Sequence, residues 1–180
     1  DFFLRAPIAE GTVSCRILEV QEHTTFVREG RAELVVHGGV IDWENSPYSL
    51  ACVFERHGKH GGCGMALVGG AAFTHGAAAT TYAHDSHNLL VLGQTAADMT
   101  AAANAVIEMQ GGIAVARDSS VTACAPLPIA GILSDRPLPV LAAEIADVRH
   151  ALTDNGYRHD NAIMSFATLA IPVSPDVKPP

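Results

Sequence analysis

Three short apolar runs, residues 50–55, 65–68 and 77–82, follow one another too closely for helical crossovers to fit between them. Parallel neighbours need a connection of roughly a dozen residues or more, so these runs predict antiparallel pairing. Residues 12–20, TVSCRILEV, are rich in β-branched side chains and alternate in polarity, as a half-buried strand does. Further strands are expected at 32–36, 89–92, 113–116, 121–124 and 168–173, and Met164-Ser165-Phe166 reads as the start of a core strand or, alternatively, as pocket wall.

Two helices interrupt the strands. The first is expected to begin at Thr95, whose hydroxyl can cap while Asp98 answers three residues on, and to stop before Gly111-Gly112. Its apolar stripe reads Met99, Ala103, Val106 and Ile107. The second opens near Pro137 and Pro139, residues tolerated in a first turn, with Ser134-Asp135 as its expected cap. Leu141, Ile145, Val148 and Leu152 share one of its faces, and Gly156 closes it. The fold class is therefore α+β, mostly antiparallel strands with two main helices packed on the sheet. No repeat or composition break divides the chain, which reads as one domain over 1–173 with an extended Pro-rich tail at 174–180.

A chain of 180 residues, 48% hydrophobic, can bury a core without metal or disulfide staples. Its net charge of −8 is spread evenly, with no basic patch to meet a nucleic acid or an anionic membrane surface. The longest apolar stretches fall far short of the roughly 20 residues that span a bilayer. Cys15, Cys52, Cys63 and Cys124 show no paired zinc-knuckle spacing and read as reduced, mostly buried thiols of a cytoplasmic protein. The start at Asp1, without Met or a leader, reads as a piece of something longer.

Candidate chemistry concentrates between Glu55 and Gly93. That window holds five of the nine histidines and eight of the sixteen glycines, and positions 60–84 contain no Asp, Glu, Lys or Arg. Glycine lets backbone approach a ligand, and histidine is the side chain whose charge changes near neutral pH. The densest cluster is His84-Asp85-Ser86-His87-Asn88, at the entrance to an apolar strand. Two imidazoles and a carboxylate can hold a metal, but extended backbone would throw His84 and His87 to opposite sides, so one ion would need a turn there. The cluster also reads as a turn satisfying its own backbone, or as part of a ligand pocket. Arg56 and His57 end the strand LACVFERHG, where charged side chains commonly face solvent or, beside this glycine loop, add to the same pocket.

Other chemistries fail on the residues. Gly58-Lys59 is followed by His60 where a phosphate loop needs Ser or Thr, and Gly62-Cys63-Gly64 has Leu67 where a dinucleotide fingerprint needs glycine. No G-x-S-x-G elbow is present.

Four segments, Glu55-Arg56-His57-Gly58, Ala83-His84-Asp85-Ser86-His87-Asn88, the run from Pro126 to Asp135 (PLPIAGILSD) and the run from Met164 to Val173 (MSFATLAIPV), occur in this order. Together they resemble the C-terminal domain of bacterial and archaeal adenine deaminases, over nearly the whole chain. The resemblance implies part of an amidohydrolase-superfamily enzyme of purine metabolism that hydrolyses adenine to hypoxanthine and ammonia. In that family a metal-activated water acts within an upstream barrel domain. It implies a divalent metal, manganese or iron, in the full-length enzyme and none bound by this segment, whose nearest histidine pairs, His57/His60 and His84/His87, are both H-x-x-H. It further implies His84, Asp85, Ser86 and His87 as catalytic contributors, with Arg56, His57, Asn88 and Ser165 at the purine base. The partners implied are the upstream barrel and the base, with homo-oligomerisation left open.

One segment departs from the family. Members typically carry a basic pair in a context like G-L-K-R-G-A, where this chain reads Ala72-Phe73-Thr74-His75-Gly76-Ala77. That leaves another purine or related heterocycle as an alternative substrate. A stand-alone heterocycle- or metal-binding module, and a purely structural or oligomerisation domain, are the competing readings.

Overall fold

The structure is a computed structural model and describes residues 2–171. Nine strands, β1 (Gly11–Val20), β2 (Val27–His37), β3 (Val40–Ile41), β4 (Ser49–Phe54), β5 (Cys63–Gly70), β6 (Ala77–Thr80), β7 (Leu89–Gly93), β8 (Gly112–Arg117) and β9 (Ser120–Pro126), form one sheet. Their order is β3-β2-β1-β5-β4-β7-β6-β8-β9. Helix α1 (Ala96–Glu108) joins β7 to β8, and α2 (Leu138–Asp154) and α3 (Ala162–Ala167) follow the last strand. The α+β expectation holds. Pairing is antiparallel throughout the described sheet except between β1 and β5, which run parallel.

The runs at 50–55 and 65–68 pair directly as β4 and β5, but β6 does not lie beside β5. It is separated from β5 by β4 and β7, and pairs with β7 and β8. Because β7 and β8 both run antiparallel to β6, α1 closes a crossover that passes over it. The small side chains of Ala77 and Ala79 on that face and the bare Gly93 let the helix settle close. A Cβ at Gly93 would collide with that of Ala77 and stand 2.7 Å from Met99 Cγ.

Each face of the sheet has its own core. One is built on Ile17, Leu34, Val36, Trp43, Leu50 and Val91 and takes Met99, Ala102 and Val106 of α1. The other takes Val148 and Leu152 of α2, Tyr157, and Ile163 and Phe166 of α3 against Leu18, Val68, Leu90 and Val115. Thr95 caps α1 as expected, accepting from the Asp98 amide at 3.2 Å. Its buried stripe is Met99, Ala102, Ala103 and Val106; Ile107 is 61% exposed, because the helix rests on its Ala102 side.

Three local expectations are corrected. The cap of α2 is Pro137, with no side-chain capping bond, and Ser134 Oγ accepts from the Arg136 amide in a turn upstream of the helix. The apolar residues from Met164 onward start no strand: they form α3 and a 3-10 turn over Thr168–Ala170. Asn161 Oδ1 accepts from the Met164 amide at 3.2 Å, a local helix start that outweighs the β-branched composition downstream. Lastly, of the four free cysteines only Cys52 is buried; Cys15 and Cys124 are half-buried and Cys63 is exposed. The end of the expected strand at 168–173 and the tail at 174–180 lie outside the described residues. No helix of the described residues is long and apolar enough to cross a membrane.

Candidate functional site

The site is assembled from the end of β4. Glu55 donates its backbone amide to Gly62 O at 2.9 Å, closing the 56–61 loop. Its carboxylate then gathers the amides of His57 at 2.6 Å, Lys59 at 3.0 Å, His60 at 3.2 Å and Gly61 at 3.1 Å. Convergence of so many amides on one carboxylate needs left-handed backbone at Gly58 and Gly61, with φ of 72° and 62°. Those donors, Gly61 first, hold the Glu55 carboxyl down at about 2, below its ordinary 4.5. A carboxyl so depressed contributes loop stability that is complete above about 4.5 and lost as pH falls through about 2. Amide exchange should therefore find residues 59–61 still protected at pH 4.5 and released toward pH 2, with Glu55→Gln removing that acid transition.

From this base Arg56 and His57 reach the neighbouring loop. Arg56 Nε donates to His87 O at 2.5 Å and Nη2 to Ala130 O at 2.6 Å, while His57 Nε2 donates to Ser86 O at 2.8 Å. The loop over 83–88 is a turn, closed by the His87 amide on Ala83 O at 2.7 Å, with a cis peptide between His84 and Asp85 and φ of 50° at His87. The Asn88 amide donates to Ser86 Oγ at 3.4 Å before β7 begins.

That turn brings together what extended backbone would have separated. The His84 and His87 rings lie with centroids 5.7 Å apart, and Tyr82 meets His84 edge-on at 4.8 Å. His84, Ser86, His87 and Asn88 are half-buried, and Asp85 is exposed. Among the described residues, five buried side-chain polar atoms lack a hydrogen-bond partner, and three of them, His84 Nδ1, His87 Nδ1 and Asn88 Oδ1, belong to this one loop. Buried polar atoms are nearly always paired, so such a concentration sets this loop apart from the rest of the described fold.

Of the residues singled out from sequence, Arg56, His57, His84, Asp85, Ser86, His87 and Asn88 thus come together. Ser165 sits elsewhere, 2% exposed in α3, with its hydroxyl 3.0 Å from Tyr157 Oη in the core. Its neighbour Met164 instead lines a cleft of about 240 Å³ with Tyr82, Leu127, Ile132 and Ile145. Tyr82, Ala130 and the organising role of Glu55 had escaped the sequence reading. Tyr82 was within reach, as the aromatic two residues before His84; the carbonyl of Ala130 carries no side-chain signal.

The departure at Thr74-His75 lies away from this loop. His75 precedes β6 and His84 follows it, so roughly 10 Å or more of strand separates them. His75 Nε2 donates to Asp154 O at 2.7 Å and the Thr74 amide to Asn155 O at 3.1 Å, both closing the C-terminus of α2. Among the described residues no group of three His, Cys, Asp or Glu is placed to hold a metal ion.

Comparison with known proteins gives a consistent set. The adenine deaminase C-terminal domain family matches residues 24–179. The chain is 46% identical over 166 residues to an adenine deaminase of Clostridium perfringens, covering 92% of this chain and 29% of that protein. It is 45% identical over 178 residues to adenine deaminase 2 of Shouchella clausii, covering 99% of this chain and 31% of that protein. With the adenine deaminase of Moorella thermoacetica it shares 39% over 178 residues, 98% of this chain and 30% of the relative. The chain spans a little under a third of the length of these relatives.

Proposed function

The chain belongs to the adenine deaminase C-terminal domain family, and on that premise we propose that it completes the active site of an enzyme hydrolysing adenine to hypoxanthine and ammonia. The single observation that carries this reading is the grouping of His84 Nδ1, His87 Nδ1 and Asn88 Oδ1, buried and without partners, in one turn. Imidazole holds or moves a proton near neutral pH, and a carboxamide oxygen accepts from an exocyclic amine such as that of adenine. His84 and His87 would handle protons at the base, Asn88 would orient it, and Tyr82 would offer a ring edge beside it. Asp85 and Ser86 act from the same turn, Asp85 at its exposed edge.

The division of labour follows from the donor set. A divalent metal, manganese or iron, would be held by residues of the larger part of the enzyme, since none of the described residues forms a ligand cluster. That larger part, the remaining two thirds of the relatives' length, would sit over the turn. Exposed apolar side chains favour this, with Ile129 at 47%, Leu133 at 58% and Leu138 at 77% exposure along the segment that Arg56 joins to the loop. Free thiols suit a cytoplasmic setting. Because Thr74 and His75 are occupied at the end of α2, their departure from the family bears on that helix terminus, and adenine stays the favoured substrate over other purines.

Two preparations test the reading. The 180 residues alone should show no turnover of adenine, and the same residues within a complete enzyme should show it. Turnover by the fragment alone, with metal added, would overturn the proposal; so would a complete enzyme that does not release ammonia from adenine.

A further inference from the structure

Arg56 reads from sequence as a group that binds substrate. Its geometry points to a different task. We infer that Arg56 is a positioning residue, whose guanidinium registers the 83–88 loop against the turn at 129–133 and so sets where His84 and His87 stand. What this does to catalysis rests on the reading above; the clamp itself does not.

The two carbonyls that Arg56 holds belong to residues of an uncommon kind. His87 and Ala130 have φ of 50° and 57°, the left-handed region that residues with a Cβ seldom enter. Among the described residues six non-glycine positions do so, and two of the six place their carbonyls on this one side chain. A guanidinium is suited to this work, being planar, always charged and able to donate in two directions at once from a rigid fork. Its base is equally fixed, because the preceding residue is the carboxylate that gathers the amides of His57, Lys59, His60 and Gly61.

The neighbouring groups leave little slack. Thr81 Oγ1 donates to Gly131 O at 2.7 Å and accepts from the Gly112 amide at 2.9 Å, so the carbonyl after Ala130 is tied from the sheet side. The turn is cross-braced by mutual backbone bonds between Ile129 and Leu133, each 3.1 Å. A Cβ at Gly131 would stand 2.6 Å from Arg56 Nη2 and 3.0 Å from Thr81 Oγ1, where φ is +79°. His57 adds a parallel tie, Nε2 to Ser86 O, on the adjacent carbonyl of the 83–88 loop. Residues 56 and 57 thus hold carbonyls 87 and 86 in succession, and residue 56 alone spans to the second turn.

Amide exchange on the unliganded 180-residue chain decides between clamp and substrate contact. In Arg56→Gln the His87 and Leu133 amides should each lose protection tenfold or more while Met99 and Val106 in α1 keep theirs. Arg56→Lys retains the charge but can reach only one carbonyl, so one of the two amides should still be released. Thr81→Val should release Leu133 and spare His87. Unchanged protection at both sites in Arg56→Gln would overturn the clamp, and so would a loss shared equally by α1, which would make Arg56 a support of the whole fold. In a complete enzyme, Arg56→Lys should lower kcat tenfold or more with KM changed less than twofold. A KM rise at steady kcat would restore Arg56 to the substrate. Altered exchange with unaltered kcat would uphold the clamp and instead sink the role proposed for His84 and His87.

Discussion

Replacing His84 and His87 together with Ala in a complete enzyme should cut kcat by about 100-fold or more while leaving the melting temperature where it was. The size follows from the usual yield of positioned acid-base groups, 100- to 10,000-fold. The absence of a stability cost follows from the structure. Each ring has a buried Nδ1 with no partner, so truncation removes a polar atom the fold already carries at a loss. What the fold gives up is the edge contact between Tyr82 and His84 and the approach of the two rings, both at a half-buried position. A fall in melting temperature of many degrees at steady kcat would instead make the cluster packing. Differential scanning calorimetry beside steady-state ammonia release separates the two.

The second large effect is on stability. Phe166→Ala should cost about 3–5 kcal/mol, the usual range for a fully buried aromatic. Phe166 is 1% exposed and stands with ring centroids 6.4 Å from Phe73 and 6.3 Å from Tyr157, so its removal opens a hole among rings that cannot close in. Against a typical total of 5–15 kcal/mol that loss is a large share. Urea unfolding should show the midpoint falling with little change in slope. A cost below about 1 kcal/mol would mean α3 is not held on the sheet as described.

Phe166 also shows where the sequence could be read and where it could not. The run around it is short, apolar and partly β-branched, which suits a strand or a buried helix equally. The deciding group is Asn161, an N-cap whose signal lies upstream of the run it governs. By contrast α1 was legible from Thr95 to Gly111, because its cap, acid and stop are all local and agree. Most strands, the expected one at 168–173 excepted, were legible for a like reason: alternation and short links are properties of neighbouring residues. At α2 the expected cap at Ser134 failed because proline at 137 fixes its own φ and opens the helix without a side-chain acceptor.

The site divides in the same way. The cluster from His84 to Asn88 stands out in the sequence because its polar residues are consecutive, and Arg56 and His57 because they abut a glycine loop. How those two groups meet was not written there. Extended backbone put His84 and His87 on opposite sides; the turn closed by Ala83 O put them on one. The family, the antiparallel character of the sheet and the residues of the polar turn were determined by sequence alone. Tertiary structure decided that β4 and β7 come between β5 and β6, that Ser165 is spent in the core, and that Arg56 joins residues 87 and 130. The reason is physical: caps, turns and alternation act over a few residues, whereas the partner of a guanidinium 74 positions away is a bare carbonyl, which every residue has and no side chain announces.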